Sequence, residues 1–156
     1  MRLNHSNFDS AKDKAMCTPY TVHPDLKAHD AKMEQQIITL NGNIHTAYAY
    51  SPSNATMIEG DAGVISIDTL PTIEFAEPVV EAFKKITDKP IKAIIYTHVH
   101  PDHISGVRAF VDEADVEAGK VEIIALDDLV PALVRDSGVL APVLARRAMY
   151  TFGFQL

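Results

Sequence analysis

From Gln36 onward the apolar residues fall into short patterned runs. Ile37-Ile38-Thr39-Leu40 and Ile44-His45-Thr46-Ala47-Tyr48-Ala49-Tyr50 flank Asn41-Gly42-Asn43, which predicts two strands joined by a tight turn, since Asn and Gly tolerate the positive φ that hairpins need. Asn54-Ala55-Thr56-Met57-Ile58-Glu59 and Gly63-Val64-Ile65-Ser66-Ile67-Asp68 repeat the arrangement around Gly60-Asp61. A second hairpin follows, with Asp61 serving only its turn and Asp68 ending a strand. Beyond Pro71 the period lengthens: Phe75, Val79, Phe83 and Ile86 recur every three or four residues, one face of a helix that Lys89-Pro90 closes. The β-branched run Ile91-Lys92-Ala93-Ile94-Ile95-Tyr96-Thr97 reads as a buried strand. A helix led by Gly106, a strand over Val121-Glu122-Ile123-Ile124-Ala125 and a helix from about Asp127 to Arg135 complete a strand-helix alternation. The expected class is therefore an α/β layered fold.

Residues 1–34 carry charges, Pro19 and Pro24 without clear periodicity and are expected to form an arm or irregular segment, leaving 35–156 as the folded domain. Composition narrows the function. With 47% hydrophobic residues the chain can bury a core, and a formal charge of -7 argues against a protein that grips nucleic acid through its phosphates. The single Cys17 excludes an intramolecular disulfide and a shared cysteine metal site. No signal-peptide pattern occurs in the first twenty residues and no long apolar run occurs anywhere, so a cytoplasmic protein without a membrane span is expected.

The chemistry is concentrated in Thr97-His98-Val99-His100-Pro101-Asp102-His103-Ile104-Ser105-Gly106. Three imidazoles and a carboxylate lie directly after the buried strand, at the end where open α/β folds build their sites. These are metal-ligand side chains. In an extended segment His98 and His100 project to the same side and can grip one ion. Pro101 then turns the chain, and Asp102 with His103 is expected to serve a second ion, an arrangement suited to hydrolysis. Asp68, ending the neighbouring strand, is expected to hold the non-ligating nitrogen of a motif histidine. His5, His23, His29 and His45 are isolated, and no functional role is expected for them.

The pattern His98-x-His100-x-Asp102-His103 resembles the signature of the metallo-β-lactamase superfamily. Tyr96-Thr97 before it, Gly106-Val107-Arg108 and Val111-Asp112-Glu113-Ala114-Asp115-Val116 after it, Glu59-Gly60-Asp61 upstream and Arg146-Arg147-Ala148 downstream look like the alkyl sulfatases of that superfamily. The resemblance implies an αββα sandwich, here its N-terminal half. It also implies a zinc-dependent hydrolase that releases sulfate and an alcohol from an alkyl sulfate ester through a metal-bound hydroxide. Two zinc ions are implied, one on His98 and His100 and one on Asp102 and His103, with Asp102 also counted as catalytic. Arg146 and Arg147 are candidates to pair with the sulfate, against the alternative of a solvated helix-end charge pair.

Ile104-Ser105 departs from the aromatic residue and glycine usual in that family. Family members also continue further, supplying more acidic and histidine ligands, whereas no His follows His103. Each ion is therefore offered two of the three or more protein ligands zinc requires. Half a sandwich, ending in the apolar Tyr150-Thr151-Phe152-Gly153-Phe154-Gln155-Leu156, is expected to self-associate or to need a missing C-terminal half. The alternatives are another hydrolase of the superfamily, a glyoxalase II type thioesterase or a lactonase, and a non-catalytic remnant.

Overall fold

The computed structural model describes residues 23–152. Cys17, most of the N-terminal arm and the end of the apolar tail lie outside the described residues. The chain divides into two units after Met33. On the N-terminal side the described part is a helix, α1 (Pro24–Asp30), where no periodicity pointed to one. Its cause is capping: Pro24 opens it, and the His23 ring accepts the Asp25 amide at 3.2 Å. No residue of α1 is buried, so an apolar stripe never existed to be read.

The second unit holds one six-stranded sheet in the order β1 (Gln36–Leu40), β2 (Ile44–Tyr48), β3 (Ala55–Glu59), β4 (Val64–Ile67), β5 (Ile91–Ile95) and β6 (Glu122–Ile124). The first four strands run antiparallel through hairpins. Asn41 and Gly42 take φ of 51° and 79° in the first turn, the conformation their residue types were expected to supply. The last two strands run parallel to β4, with helices in the crossovers. These are α2 (Ile73–Lys84) before β5, then α3 (Pro101–Ile104), α4 (Val107–Phe110) and α5 (Glu113–Glu117) before β6. After β6 come α6 (Leu129–Val134), a π-helical turn Arg135–Val139 and α7 (Ala141–Phe152).

One face of the sheet is dry. Ala47, Ala55, Met57, Val64 and Ile94 pack with Ala76, Val79, Val80 and Phe83 of α2 and with Phe110 of α4. Burying a side chain such as Ile94 or Val79 is worth about 1.5–3 kcal/mol. The buried stripe of α2 differs from the expected one: Phe75 and Ile86 are exposed, and Ala76 and Val80 are buried beside Val79 and Phe83. The seam is the tighter i, i+3, i+4, i+7 row. A small residue is required at 76, because its Cβ faces the backbone of Gly106. The helix also stops at Lys84, short of Lys89-Pro90. The expected helix after Gly106 is a single turn, because Val111 is extended and Asp112 starts a new helix.

The opposite sheet face carries Ile44, Ile58 and Ile65 in register, all half-exposed. A single sheet with helices on one face is one half of an αββα sandwich. At the end of β3, Glu59 accepts from Lys89 Nζ at 2.8 Å and from the Thr87 hydroxyl at 3.3 Å. The hydrogen-bonded Lys89 ammonium holds the Glu59 carboxyl below its ordinary range. A depressed carboxyl pKa stabilises the fold above the unfolded value and loses that effect as pH falls through the folded one. In a carboxyl-carbon NMR titration the Glu59 midpoint is expected to move up in Lys89→Ala. Equal midpoints in the two proteins would remove this assignment.

Candidate metal centre

Because β4, β5 and β6 are parallel, their carboxyl ends open on one edge of the sheet, and the motif leaves β5 there. The segment just beyond β4 is unusual: Asp68 and Leu70 take φ of 60° and 70°, left-handed values that cost a non-glycine residue about 1–3 kcal/mol each. Hydrogen bonds to the motif hold it. The Asp68 amide donates to the Ile95 carbonyl at 2.9 Å, the Thr69 amide to the His103 carbonyl at 2.7 Å, and the Gly106 amide to the Leu70 carbonyl at 2.9 Å. Thr69 and Leu70 are fully buried. On the far side, the buried Ser53 donates its hydroxyl to the Asp102 carbonyl. The motif backbone is therefore tied to β4's end and to the segment entering β3.

Gly106 makes this lacing possible. A Cβ at this position would overlap the Thr69 carbonyl oxygen and lie 2.9 Å from that of Thr72 and 3.0 Å from the Ala76 Cβ. The constraint is close approach rather than backbone angle.

The side chains form one cluster. His98 Nε2 lies 3.0 Å from His100 Nδ1, and the His98 ring packs against that of His103 at 4.1 Å between centroids. The rings of His98 and His100 meet through a bend over residues 97–99, where an extended run was expected. Asp102 and His103 follow on α3, with Asp102 Oδ2 3.4 Å from His103 Nε2. Asp68, only 5% exposed, places Oδ2 2.7 Å from His103 Nδ1. A carboxylate only accepts, so the shared proton sits on Nδ1, and Nε2 faces Asp102. Asp68 also accepts from the Thr97 amide at 2.8 Å and from the Thr97 hydroxyl at 2.7 Å, and that hydroxyl is 3.0 Å from His98 Nδ1. Thr97, Ser53 and Thr69 had no motif of their own, and only the adjacency of Thr97 to His98 hinted at its part.

The side chains are of types that bind divalent metal ions. Two nitrogens about 2.0–2.1 Å from a tetrahedral ion stand about 3.3 Å apart, and the two donor pairs here are separated by 3.0 Å and 3.4 Å. Among the described residues no three His, Cys, Asp or Glu side chains converge to hold one ion. The donors come as two pairs.

Arg146 and Arg147 are exposed in the middle of α7, not at a helix end. His45 is buried on β2, its Nδ1 2.9 Å from the Thr39 hydroxyl. A cavity of about 330 Å³ lined by Met57, Val64, Phe83 and Phe110 lies at the opposite, amino ends of the parallel strands, away from the histidines. A smaller one, of about 160 Å³, adjoins His98.

The model of the metallo-β-lactamase superfamily matches residues 49–140, more than half of the chain and all of the motif. The chain belongs to the metallo-β-lactamase superfamily. Membership implies divalent metal binding. Among curated relatives, a linear primary-alkylsulfatase from Pseudomonas sp. is 46% identical over 100 residues, 64% of this chain and 19% of that protein. An (R)-specific secondary-alkylsulfatase from Pseudomonas sp. is 36% identical over 136 residues, 85% of this chain and 20% of its own. The solved structure of the stereoselective inverting sec-alkylsulfatase Pisa1 from Pseudomonas sp. superposes with a TM-score of 0.67 at 35% identity, covering 74% of this chain and 18% of that one. The superfamily chain described here thus spans about a fifth of the length of these relatives. No helix among the described residues is long and apolar enough to cross a membrane.

Proposed function

We propose that this metallo-β-lactamase chain contributes the N-terminal half of the metal centre of a zinc-dependent hydrolase of alkyl sulfate esters. The observation that carries the reading is the pairing of donors, His98 with His100 and Asp102 with His103, above a buried Asp68. The alkylsulfatase names of its relatives supply the substrate class. His98 and His100 would hold one ion, Asp102 and His103 a second. Zinc supplies Lewis acidity there, drawing electron density from an ester oxygen and activating water. Asp68 fixes the His103 ring and its tautomer, so that Nε2 is presented as a lone pair, and Thr97 holds Asp68 and braces His98. The remaining ligands of each ion, and the group covering the half-exposed sheet face, come from further polypeptide or from a second copy.

Native mass spectrometry with added zinc, run beside assays of sulfate release from dodecyl sulfate and of thioester and lactone hydrolysis, tests the reading. Bound zinc that is lost in His98→Ala and in His103→Ala is expected, with sulfate release as the turnover detected. Thioester or lactone turnover instead would assign a different reaction, and zinc binding unchanged in both variants would refute the centre itself.

A further inference from the structure

The larger cavity, of about 330 Å³, takes no part in the donor pairs and lies at the other end of the parallel strands. Its walls come from both layers of the fold: Met57 and Val64 from the sheet, Val80 and Phe83 from α2, and Phe110 from α4, each at most 8% exposed. An apolar cavity of about 150 Å³ takes one six-carbon ring, so this one has room for a second. Small-molecule sites begin at about 300 Å³. Exposed Asp88, on the loop from α2 to β5, and exposed Asp112, between α4 and α5, stand at its rim.

The polar groups of the lining decide which molecule fits, and they divide into engaged and free. Lys89 donates to Glu59 at 2.8 Å and to the Gly60 carbonyl at 2.9 Å. The Thr87 hydroxyl donates to Glu59 and accepts from the Lys89 amide, both at 3.3 Å. Asp115 accepts from Lys120 at 2.7 Å, and Lys84 pairs with Glu81 on its own helix at 3.5 Å. Ser66, 2% exposed, donates its hydroxyl to the Asp68 carbonyl at 3.2 Å, which leaves it lone pairs alone. Among the described residues Asp88 and Asp112 have no side-chain partner, so the free polar capacity of the cavity is accepting. An anionic ligand would meet two like charges. A protonated amine would meet two carboxylates at the rim and hydrocarbon below.

We infer that this cavity is a second ligand site, separate from the metal centre, for a compact apolar amine: a hydrocarbon body of about two fused rings against Phe83 and Phe110, with its ammonium facing Asp88 and Asp112. The inference goes beyond the hydrolase reading and does not depend on it, because the site needs neither metal nor turnover.

Methyl NMR of the full chain, titrated with 1-naphthylmethylamine, 1-naphthalenemethanol and 1-naphthoate, tests the site. The amine is expected to shift the Met57, Val64 and Val80 methyls saturably, the alcohol to shift them with lower affinity, and the naphthoate to bind least. Asp88 and Asp112 are exposed, and Asp112 makes no capping bond to α5, so replacing both by Asn leaves the fold intact. Asp88→Asn with Asp112→Asn is expected to weaken the amine roughly 3–10-fold, the effect of losing two exposed ion pairs, and to leave the alcohol unchanged. Val80→Phe puts a ring into the cavity and is expected to abolish the shifts of Met57 and Val64 with every probe. Where that variant does not fold, the Asn pair and the ranking of the three probes decide alone. Absence of saturable shifts with the amine, naphthoate binding as tightly as the amine, or unchanged amine affinity in the Asn pair would each overturn the inference. So would full binding in a folded Val80→Phe protein, or shifts confined to Val99 beside the histidines.

Discussion

Gly106→Ala is expected to destabilise the domain strongly. The added methyl meets two backbone carbonyl oxygens and the Ala76 Cβ, and none of these is the free end of a flexible side chain. Overpacking a filled site costs about 1–3 kcal/mol where side chains can yield, and here the backbone must move, so a loss of about 3 kcal/mol or more is expected. For a chain of this size that lowers the melting temperature by about 6–12 °C. The displaced segment holds the Gly106 amide bond to Leu70 and, two and three residues earlier, the end of α3 with His103, so zinc binding is expected to weaken together with stability. Gly138→Ala is the control, because a Cβ there meets nothing within 4 Å. Thermal unfolding followed by circular dichroism compares them, and a Gly106→Ala protein melting with the parent would disprove the close-approach account.

The elements that were legible in sequence are those whose cause is local. Asn41-Gly42 announces its hairpin through residue chemistry, and Ile91 to Ile95 announces a buried strand through β-branched density. Asp68 was legible as the partner of a motif histidine because it ends a strand next to the one that carries the motif. What escaped depends on contacts between segments distant in sequence. The buried stripe of α2 is set by the backbone of Gly106 lying against Ala76, so the large Phe75 is turned outward although periodicity favoured it. The single turn of α4 ends where Val111 extends, and Val111 looks like any other helix-compatible position in a linear reading. Thr69 and Ser53 tie the motif down through its carbonyls, an interaction that any sequence can make and that no spacing reveals. His98, His100, Asp102 and His103 stood out through their types and spacing, whereas their merging into one cluster with His98 stacked on His103 is a property of the fold.

Asp68→Asn is expected to leave the fold standing and weaken zinc binding about 10–100-fold, the usual effect of removing the group that orients a ligating histidine. Asn tolerates the left-handed backbone that Asp68 occupies at φ 60°, and its side-chain carbonyl can still accept from the Thr97 amide, now 2.8 Å from Oδ1. The amide nitrogen then takes the place of Oδ2, which lies 2.7 Å from His103 Nδ1. An amide donates, so Nδ1 must become the acceptor and the ring proton moves to Nε2, the nitrogen facing Asp102. A protonated Nε2 has no lone pair for a metal. Asp68→Ala removes the orienting bond as well, leaves Thr97 with an unpaired amide, and places alanine in a backbone region it disfavours. It is expected to cost stability in addition, by about 1–3 kcal/mol. Zinc affinity from competition with a chelator, read beside the melting temperature, separates the two substitutions. A merely structural Asp68 predicts that affinity follows stability in both. A positioning Asp68 predicts a loss of affinity in Asp68→Asn at nearly constant melting temperature, and parent-like affinity in that variant would show that His103 keeps its tautomer without the carboxylate.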